Sequence, residues 1–523
     1  MKSILITLAI AGSAFAGDLS GHYAGVFESS GGSRQQVIAT LREHASILSG
    51  TIGPSPAQQS PLLNGQIADG RVIFEIQPLG GLRLSLESSG DILRGTAERT
   101  DGKPSIFTRV ELRRTGPLRP IDFVTALPNE GGIRSDKIAQ LRGRLANDPK
   151  AVDLFWLEVK RLGAPIVEPD PTDSRFQLVT FLWQGAPEHK NVLVLWHPFS
   201  TARPADHLMV NIPSTRIWFR TLRLPTGSRL KYTLSPNDPL AEMPPGTGRR
   251  QEVTDPLNPN GMNLELPDAH PQPYYTQRND VAKLALFEHK FRSERLGQER
   301  TILVYTPPGY SAANSPYPAL YLFDGEDKDG NVFATWTFEN LFAEKKIPPI
   351  VIVRIVNPDI GSRSQLAANP KFFDFLSQEL VPYIRKNYHV TREAGKNAIG
   401  GYSLGGFAAA YAALRHSDLF GAVLSQSGSY WLTPSGDSLA EPGWMSRQFI
   451  AAPKFPIRFY LEAGEFELDM TGRGAGILLP NRHLRDVLLA KGYQVQYREF
   501  PGGHDSVNWR GTLADGVISL FGR

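Results

Sequence analysis

Cysteine is absent from the 523 residues. That excludes disulfides and metal sites built on thiolates, so stability has to come from core burial. A dominant charge of one sign is missing as well: 56 Lys and Arg stand against 52 Asp and Glu, a net +4. The basic residues are scattered, with only short pairs such as Arg249-Arg250. No basic stripe of the kind that grips nucleic acid is present, so no nucleic-acid partner is expected. Long apolar runs are lacking too, and without one no segment is expected to span a membrane.

What is present begins at the N-terminus. Lys2 precedes an apolar run, Ile4 to Ala11, followed by Ala14-Phe15-Ala16 with small residues at the A-x-A positions. This is the pattern of a cleavable secretory signal peptide over residues 1–16, and it predicts a periplasmic or secreted protein. The run is too short for a bilayer anchor. At this length several domains are expected, since one core rarely organises so long a chain.

Residues 17–115 read as all-β. Short alternating runs such as Gln36 to Leu41, Val72 to Ile76, Leu82 to Leu86 and Phe107 to Leu112 recur between Gly, Ser, Pro and Asp clusters, which predicts a small barrel-like domain. Residues 116–275 open with a linker and two helical patterns, around Ile138 to Leu145 and Pro149 to Leu162. Strand runs Phe176 to Trp183, Asn191 to Trp196 and Ile217 to Leu222 follow, predicting an immunoglobulin-like sandwich. From 276 to 523, strand runs alternate with helical ones, among them Phe372 to Lys386, Leu404 to Arg415 and Leu479 to Lys491. That alternation predicts a mostly parallel sheet covered on both faces, an α/β-hydrolase preceded by two β-rich domains.

The chemistry concentrates in this last segment. Gly401-Tyr402-Ser403-Leu404-Gly405 fits G-x-S-x-G, with a short strand before it and an Ala-rich helix after it. A tight strand–turn–helix lifts a serine hydroxyl above the sheet edge, with the helix N-terminus beneath a developing oxyanion. A serine needs a base, and only His416, His483 and His504 follow Ser403. His416 ends the nucleophile helix and His483 sits in a helical run, whereas His504 stands in a loop just after the last strand. An acid to orient the imidazole should follow the penultimate strand, in Glu462 to Asp469. Glu467 is the choice, with Glu465 and Asp469 as alternatives. The order serine, acid, histidine is that of α/β-hydrolases. The Leu404 amide, paired with that of Gly325 or Glu326, is the expected oxyanion hole. The acidic stretch that runs through Asp327 and Asp329 to the amide Asn331 fails the calcium-loop spacing, so neither metal nor cofactor is expected.

Three stretches together carry a family resemblance: Gly400 to Gly406; Leu424-Ser425-Gln426-Ser427-Gly428-Ser429-Tyr430-Trp431; and Gly502-Gly503-His504-Asp505 with Trp509-Arg510. They resemble the enterochelin (enterobactin) esterase family, as do Leu322 to Glu326. Val179 to Trp183 and Asp255 to Pro259 resemble its N-terminal domain. The resemblance covers roughly residues 150–523 and implies hydrolysis of ester bonds in a catecholate siderophore. It implies roles for Ser403 as nucleophile, His504 as base and Glu467 as acid. It further implies Arg363 facing an anionic ligand, and Trp431 and Trp509 stacking on aromatic rings, with core packing the alternative for both and an equal one for Trp509. The chain departs from the family pattern at Leu432, where a second tryptophan is frequent, and at Gln365, where glutamate is frequent.

The leading expectation is therefore a serine carboxylic-ester hydrolase whose partner is a small-molecule ester such as a ferric siderophore. A carbohydrate-ester hydrolase of the feruloyl or acetyl xylan type, acting on a glycan ester, shares this catalytic domain. A secreted binding protein that has lost activity is the alternative from another class, and the three candidate triad residues argue against it.

Overall fold

The computed structural model describes residues 19–522 apart from 30, 45–46, 56–57, 69, 77–80, 101, 105–106, 117–134, 190, 197–207, 213, 239–251, 325–331, 435–442 and 468–475. The expected signal peptide, residues 1–16, lies outside the described residues. The chain folds as two compact units, one of residues 1–226 and 232–262, the other of 227–231 and 263–523. The expected boundary at 275/276 therefore falls earlier, and five residues from the middle of the chain join the C-terminal unit.

The first unit opens with nine antiparallel strands: β1 (Gly21–Ser29), β2 (Arg34–His44), β3 (Ile47–Ser55), β4 (Gln58–Pro61), β5 (Leu63–Ala68), β6 (Arg71–Ile76), β7 (Leu82–Ser89), β8 (Ile92–Arg99) and β9 (Phe107–Gly116). Their order is β2-β1-β9-β8-β7-β6-β5-β3-β4, and β2 also pairs with β3, so the ladder returns to its starting strand. Period-2 alternation decides which side chains turn inward. Val72, Phe74 and Ile76 of β6, and Leu82, Leu84 and Leu86 of β7, are buried in one apolar cluster. Burial of each such side chain stabilises by about 1.5–3 kcal/mol.

Helices α1 (Asp136–Leu145) and α2 (Ala151–Leu162) follow, with bounds close to those expected. Ser135 caps α1, its hydroxyl accepting the Ile138 amide. Phe155, Trp156 and Val159 of α2 pack with Leu182, Ile217 and Phe219 in a second core. Here β10 (Ile166–Pro169), β11 (Phe176–Gln184), β14 (Ile217–Pro225) and β13 (Val210–Asn211) form one sheet, and β12 (Val192–Trp196) pairs with β15 (Arg229–Pro236).

In the second unit, Arg229, Leu230 and Lys231 of β15 pair with Glu265, Leu264 and Asn263 of β16 (Asn263–Glu265). An eight-stranded sheet dominates the rest: β17 (Ala285–Ser293), β18 (Gln298–Thr306), β19 (Ala319–Leu322), β20 (Val351–Ile355), β21 (Asn397–Tyr402), β22 (Ala422–Gln426), β23 (Arg458–Gly464) and β24 (Gln494–Phe500). The order is β17-β18-β20-β19-β21-β22-β23-β24, antiparallel across the first three strands and parallel thereafter. Helices α3 (Thr335–Ala343), α4 (Leu404–Arg415), α5 (Trp444–Ala451), α6 (Leu478–Ala490) and α7 (Ser506–Phe521) accompany the strands. Among the described residues two large apolar clusters dominate its core, one with Phe407 of α4 and Leu484 of α6, the other with Phe338 of α3 and Leu513 of α7. The expected helix Phe372 to Lys386 is instead Pro370–Asp374, a stretch of wider π-type turns at Phe375–Leu380, and Val381–Asn387.

Candidate active site

The parallel strands set the site, because their C-terminal ends all open on one edge of the sheet. Strand β21 ends at Tyr402, and Ser403 follows with φ +55° before α4 begins at Leu404. A positive φ on a non-glycine residue is strained, and the surroundings hold it there. The Ser403 amide donates to the Gln426 carbonyl at 2.8 Å, and the Ser403 carbonyl accepts from the amides of Phe407 and Ser429. Space forces the small neighbours: a Cβ on Gly401 would lie 2.9 Å from the Gly405 backbone, and one on Gly405 would strike the Asp324 carboxylate.

His504 arrives from the loop between β24 and α7. Its Nε2 stands 2.9 Å from Ser403 Oγ, and its Nδ1 2.6 Å from Glu467 Oε1. Glu467, just past β23, is fully buried, and His504 is 9% exposed. The other oxygen of Glu467 accepts the Gly464 amide at 2.7 Å, and its backbone carbonyl accepts from Ile477 and Leu478. With Glu467 as a carboxylate, Nδ1 of the neutral imidazole carries the proton and Nε2 accepts from the serine hydroxyl. Chemically, such an arrangement can join a weak nucleophile to a base of fixed tautomer.

The loop bearing His504 is held on several sides. Asp505 caps α7, its carboxylate accepting from the Val507 amide and the Asn508 side chain, and from the Lys231 amide at 3.3 Å. Burial pushes the Asp505 carboxyl up to about 7. The Arg229 amide donates to the Pro501 carbonyl, and Asn508 donates to the Arg229 carbonyl.

Trp509 is buried. Its indole N–H donates to Ser427 Oγ at 2.9 Å, and its ring stacks on Tyr402 with centroids 4.7 Å apart. Beneath Ser403, Gln426 donates to the Trp509 carbonyl, to Thr512 and to Glu462. Glu462 also accepts from Tyr460 and Thr512, and burial raises its carboxyl to about 7.

Of the other residues singled out in the sequence, Glu465 is not bonded to His504; its amide donates to the Phe500 carbonyl. Burial followed by the nearby Glu499 charge raises its carboxyl. Gly325, Glu326 and Asp469 lie outside the described residues, as do Asp327, Asp329 and Asn331. Leu404 opens α4, where backbone N–H groups lack partners within the helix. Arg363 is paired with a protein group: its Nε donates to Asp324 Oδ1 at 2.8 Å, with Asp324 buried at φ +59°. Trp431 is half-buried beside Ala463, Ile477 and Leu478. His416 caps the far end of α4.

Sequence reasoning missed Ser429, whose Oγ lies 3.3 Å from Ser403 Oγ, and Asp324 as the partner of Arg363. No spacing signals either contact, since both depend on loops meeting across the sheet edge. Among the described residues, no group of three or more His, Cys, Asp and Glu is placed to hold a metal ion. No helix among them is long and apolar enough to cross a membrane.

Two families match the chain: "Enterochelin esterase, N-terminal" over residues 178–272 and "Putative esterase" over 293–520. The iron(III) enterobactin esterase of Dickeya dadantii is 28% identical over 428 residues, covering 72% of this chain and 95% of that protein. The iron(III) salmochelin esterase of Escherichia coli is 26% identical over 421 residues, covering 74% and 98%. The crystal structure of the Shigella flexneri enterobactin esterase with enterobactin present aligns at TM-score 0.56 and 27% identity, covering 70% of this chain and 97% of that one.

Proposed function

The chain belongs to the enterochelin esterase family and is a carboxylic ester hydrolase, and on that premise we propose that it hydrolyses ferric catecholate siderophore esters through an acyl-enzyme on Ser403. The observation that carries the reading is the continuous relay of Ser403, His504 and Glu467, with links of 2.9 and 2.6 Å. Ser403 Oγ attacks the ester carbonyl while His504 Nε2 takes its proton. As the tetrahedral intermediate collapses, His504 returns that proton to the leaving alcohol. Water then repeats the cycle on the acyl group and frees Ser403. Glu467 holds the imidazole and stabilises its cationic form.

The Leu404 amide and one from Gly325 or Glu326 serve as the oxyanion donors in this scheme. The names of the relatives support an iron-bearing siderophore as substrate. The N-terminal pattern supports export to the periplasm or beyond. The ladder of β1–β9 that returns on itself supports a small barrel, and the sheets of residues 166–236 support an immunoglobulin-like sandwich.

Ser403→Ala is expected to abolish hydrolysis of a p-nitrophenyl ester while the protein stays folded by circular dichroism; retained turnover removes Ser403 from the chemistry. Assayed side by side on ferric enterobactin, methyl ferulate and acetylated xylan, the protein is expected to prefer the siderophore. A preference for the plant esters overturns the substrate assignment and favours the carbohydrate-ester reading.

A further inference from the structure

Ser429 stands on the turn after β22 and is almost wholly buried. The 3.3 Å contact with Ser403 Oγ is the one hydrogen bond of its hydroxyl among the described residues. Distance alone leaves the donor open, and the proton order of the relay settles it. Glu467 accepts from Nδ1, so Nε2 has to accept from Ser403, which spends the single proton of Ser403 on the imidazole. With that proton committed, Ser403 Oγ can offer Ser429 only a lone pair, and Ser429 is the donor. Its turn is fixed independently. The Ser429 amide donates to the Ser403 carbonyl, Asn481 donates to the Gly428 carbonyl at 2.8 Å, and the Tyr430 hydroxyl donates to Ser425 Oγ at 2.7 Å. At 3.3 Å the contact is long, as hydrogen bonds at unliganded catalytic centres commonly are before they tighten in the transition state.

Resting on the acyl-enzyme reading above, we propose that Ser429 is a further catalytic residue, donating its hydroxyl proton in a hydrogen bond to the Ser403 oxygen as that oxygen leaves the acyl group. The two half-reactions use this donor unequally. In acylation Ser403 Oγ loses a proton to His504 as it bonds to carbon, the reverse of its later departure, so the charge on it at the two transition states is alike. The free serine hydroxyl already accepts this hydrogen bond well, whereas the ester oxygen of the acyl-enzyme accepts it poorly, and the donor gains strength chiefly in deacylation. During deacylation water adds to the acyl carbon and gives a proton to His504. The C–Oγ bond then breaks, its electron pair goes to Oγ, and His504 delivers the proton there. A donor aimed at Oγ stabilises the charge gathering at that moment. Ser429 keeps its own proton throughout.

Rapid mixing with p-nitrophenyl butyrate separates the steps: the burst of p-nitrophenolate reads acylation, and the later linear phase reads deacylation. In Ser429→Ala, acylation is expected within about twofold of the native rate, and deacylation about tenfold slower, the scale of one neutral hydrogen bond. The burst therefore becomes more prominent. Equal slowing of both phases, or an unchanged linear phase, overturns the proposal. Failure of the parent reading looks different, because Ser403→Ala would keep turning over, and that result overturns both.

Discussion

The imidazole of His504 meets the indole of Trp509 edge-on, with ring centroids 4.7 Å apart and planes at 89°. The tryptophan is held from behind by Tyr402 and by Ser427, so it forms a wall against the imidazole that faces Ser403. Family resemblance implies aromatic stacking on substrate for this residue, and its burial favours the supporting role.

Trp509→Phe keeps a ring beside His504 and loses the bond to Ser427. Its kcat on p-nitrophenyl butyrate is expected to fall about threefold to tenfold, with KM unchanged within about twofold. A rise in KM with kcat intact would instead assign the ring to substrate.

Glu467→Gln keeps the shape of the side chain but exchanges a carboxylate for an amide that can stabilise the wrong imidazole tautomer. Steady-state kinetics are expected to show kcat lowered by about 10³–10⁴. Glu465→Gln, which leaves the relay untouched, is expected to stay within about twofold. Comparable losses in the two variants would reopen the choice of acid.

Glu462 ties its stability effect to pH. Burial among Tyr460, Thr512 and Gln426, with Asp515 as a nearby like charge, raises its carboxyl to about 7 in the fold, whereas unfolded it titrates near its ordinary 4.5. Between those values the native state holds a proton that the unfolded state has released. Stability is therefore fullest below the unfolded value and falls as pH rises toward 7, by about 3 kcal/mol in all. Denaturant melts from pH 4.5 to 8 are expected to show that decline in the native protein, with a shallower slope in Glu462→Gln. Parallel slopes would refute it. Asp505 contributes in the same direction.

Arg363→Ala removes the guanidinium from the buried Asp324 carboxylate beside the Ser403 turn. Since Arg363 is partly exposed, a loss of about 2 kcal/mol in urea denaturation is expected, less than for a fully buried pair. On an uncharged ester kcat is expected to drop more than KM rises. An unchanged denaturation midpoint would show that the pair contributes nothing to the fold.

Local signals carried much of the architecture. The bounds of α4, Leu404 to Arg415, follow from an Ala-rich run after a glycine-lined turn, and period-2 runs located β6, β7 and β9. Helix α7 was not anticipated. It is buried on nearly all sides, so it has no amphipathic rhythm, and Gly511 and Gly516 interrupt it. Packing explains the second glycine, since a Cβ there would lie 2.9 Å from Leu424. Strands β3 and β5 hide behind Gly50, Gly53 and Gly65. At the site, chain order singled out Ser403, Glu467 and His504 as candidates. The contacts of Arg363, Trp509 and Ser429 arise from tertiary closure, which no window of sequence contains.

The five residues 227–231 have a practical consequence for dissecting the protein. The polypeptide passes between its two units three times, so no single cut releases the esterase portion whole. A fragment beginning at 276 would lose Arg229 and Lys231, whose backbone groups clasp Pro501, Asp505 and Asn508 around the His504 imidazole. Partial proteolysis or domain shuffling that respects only linear order would deliver a fragment whose His504 loop has lost its brace.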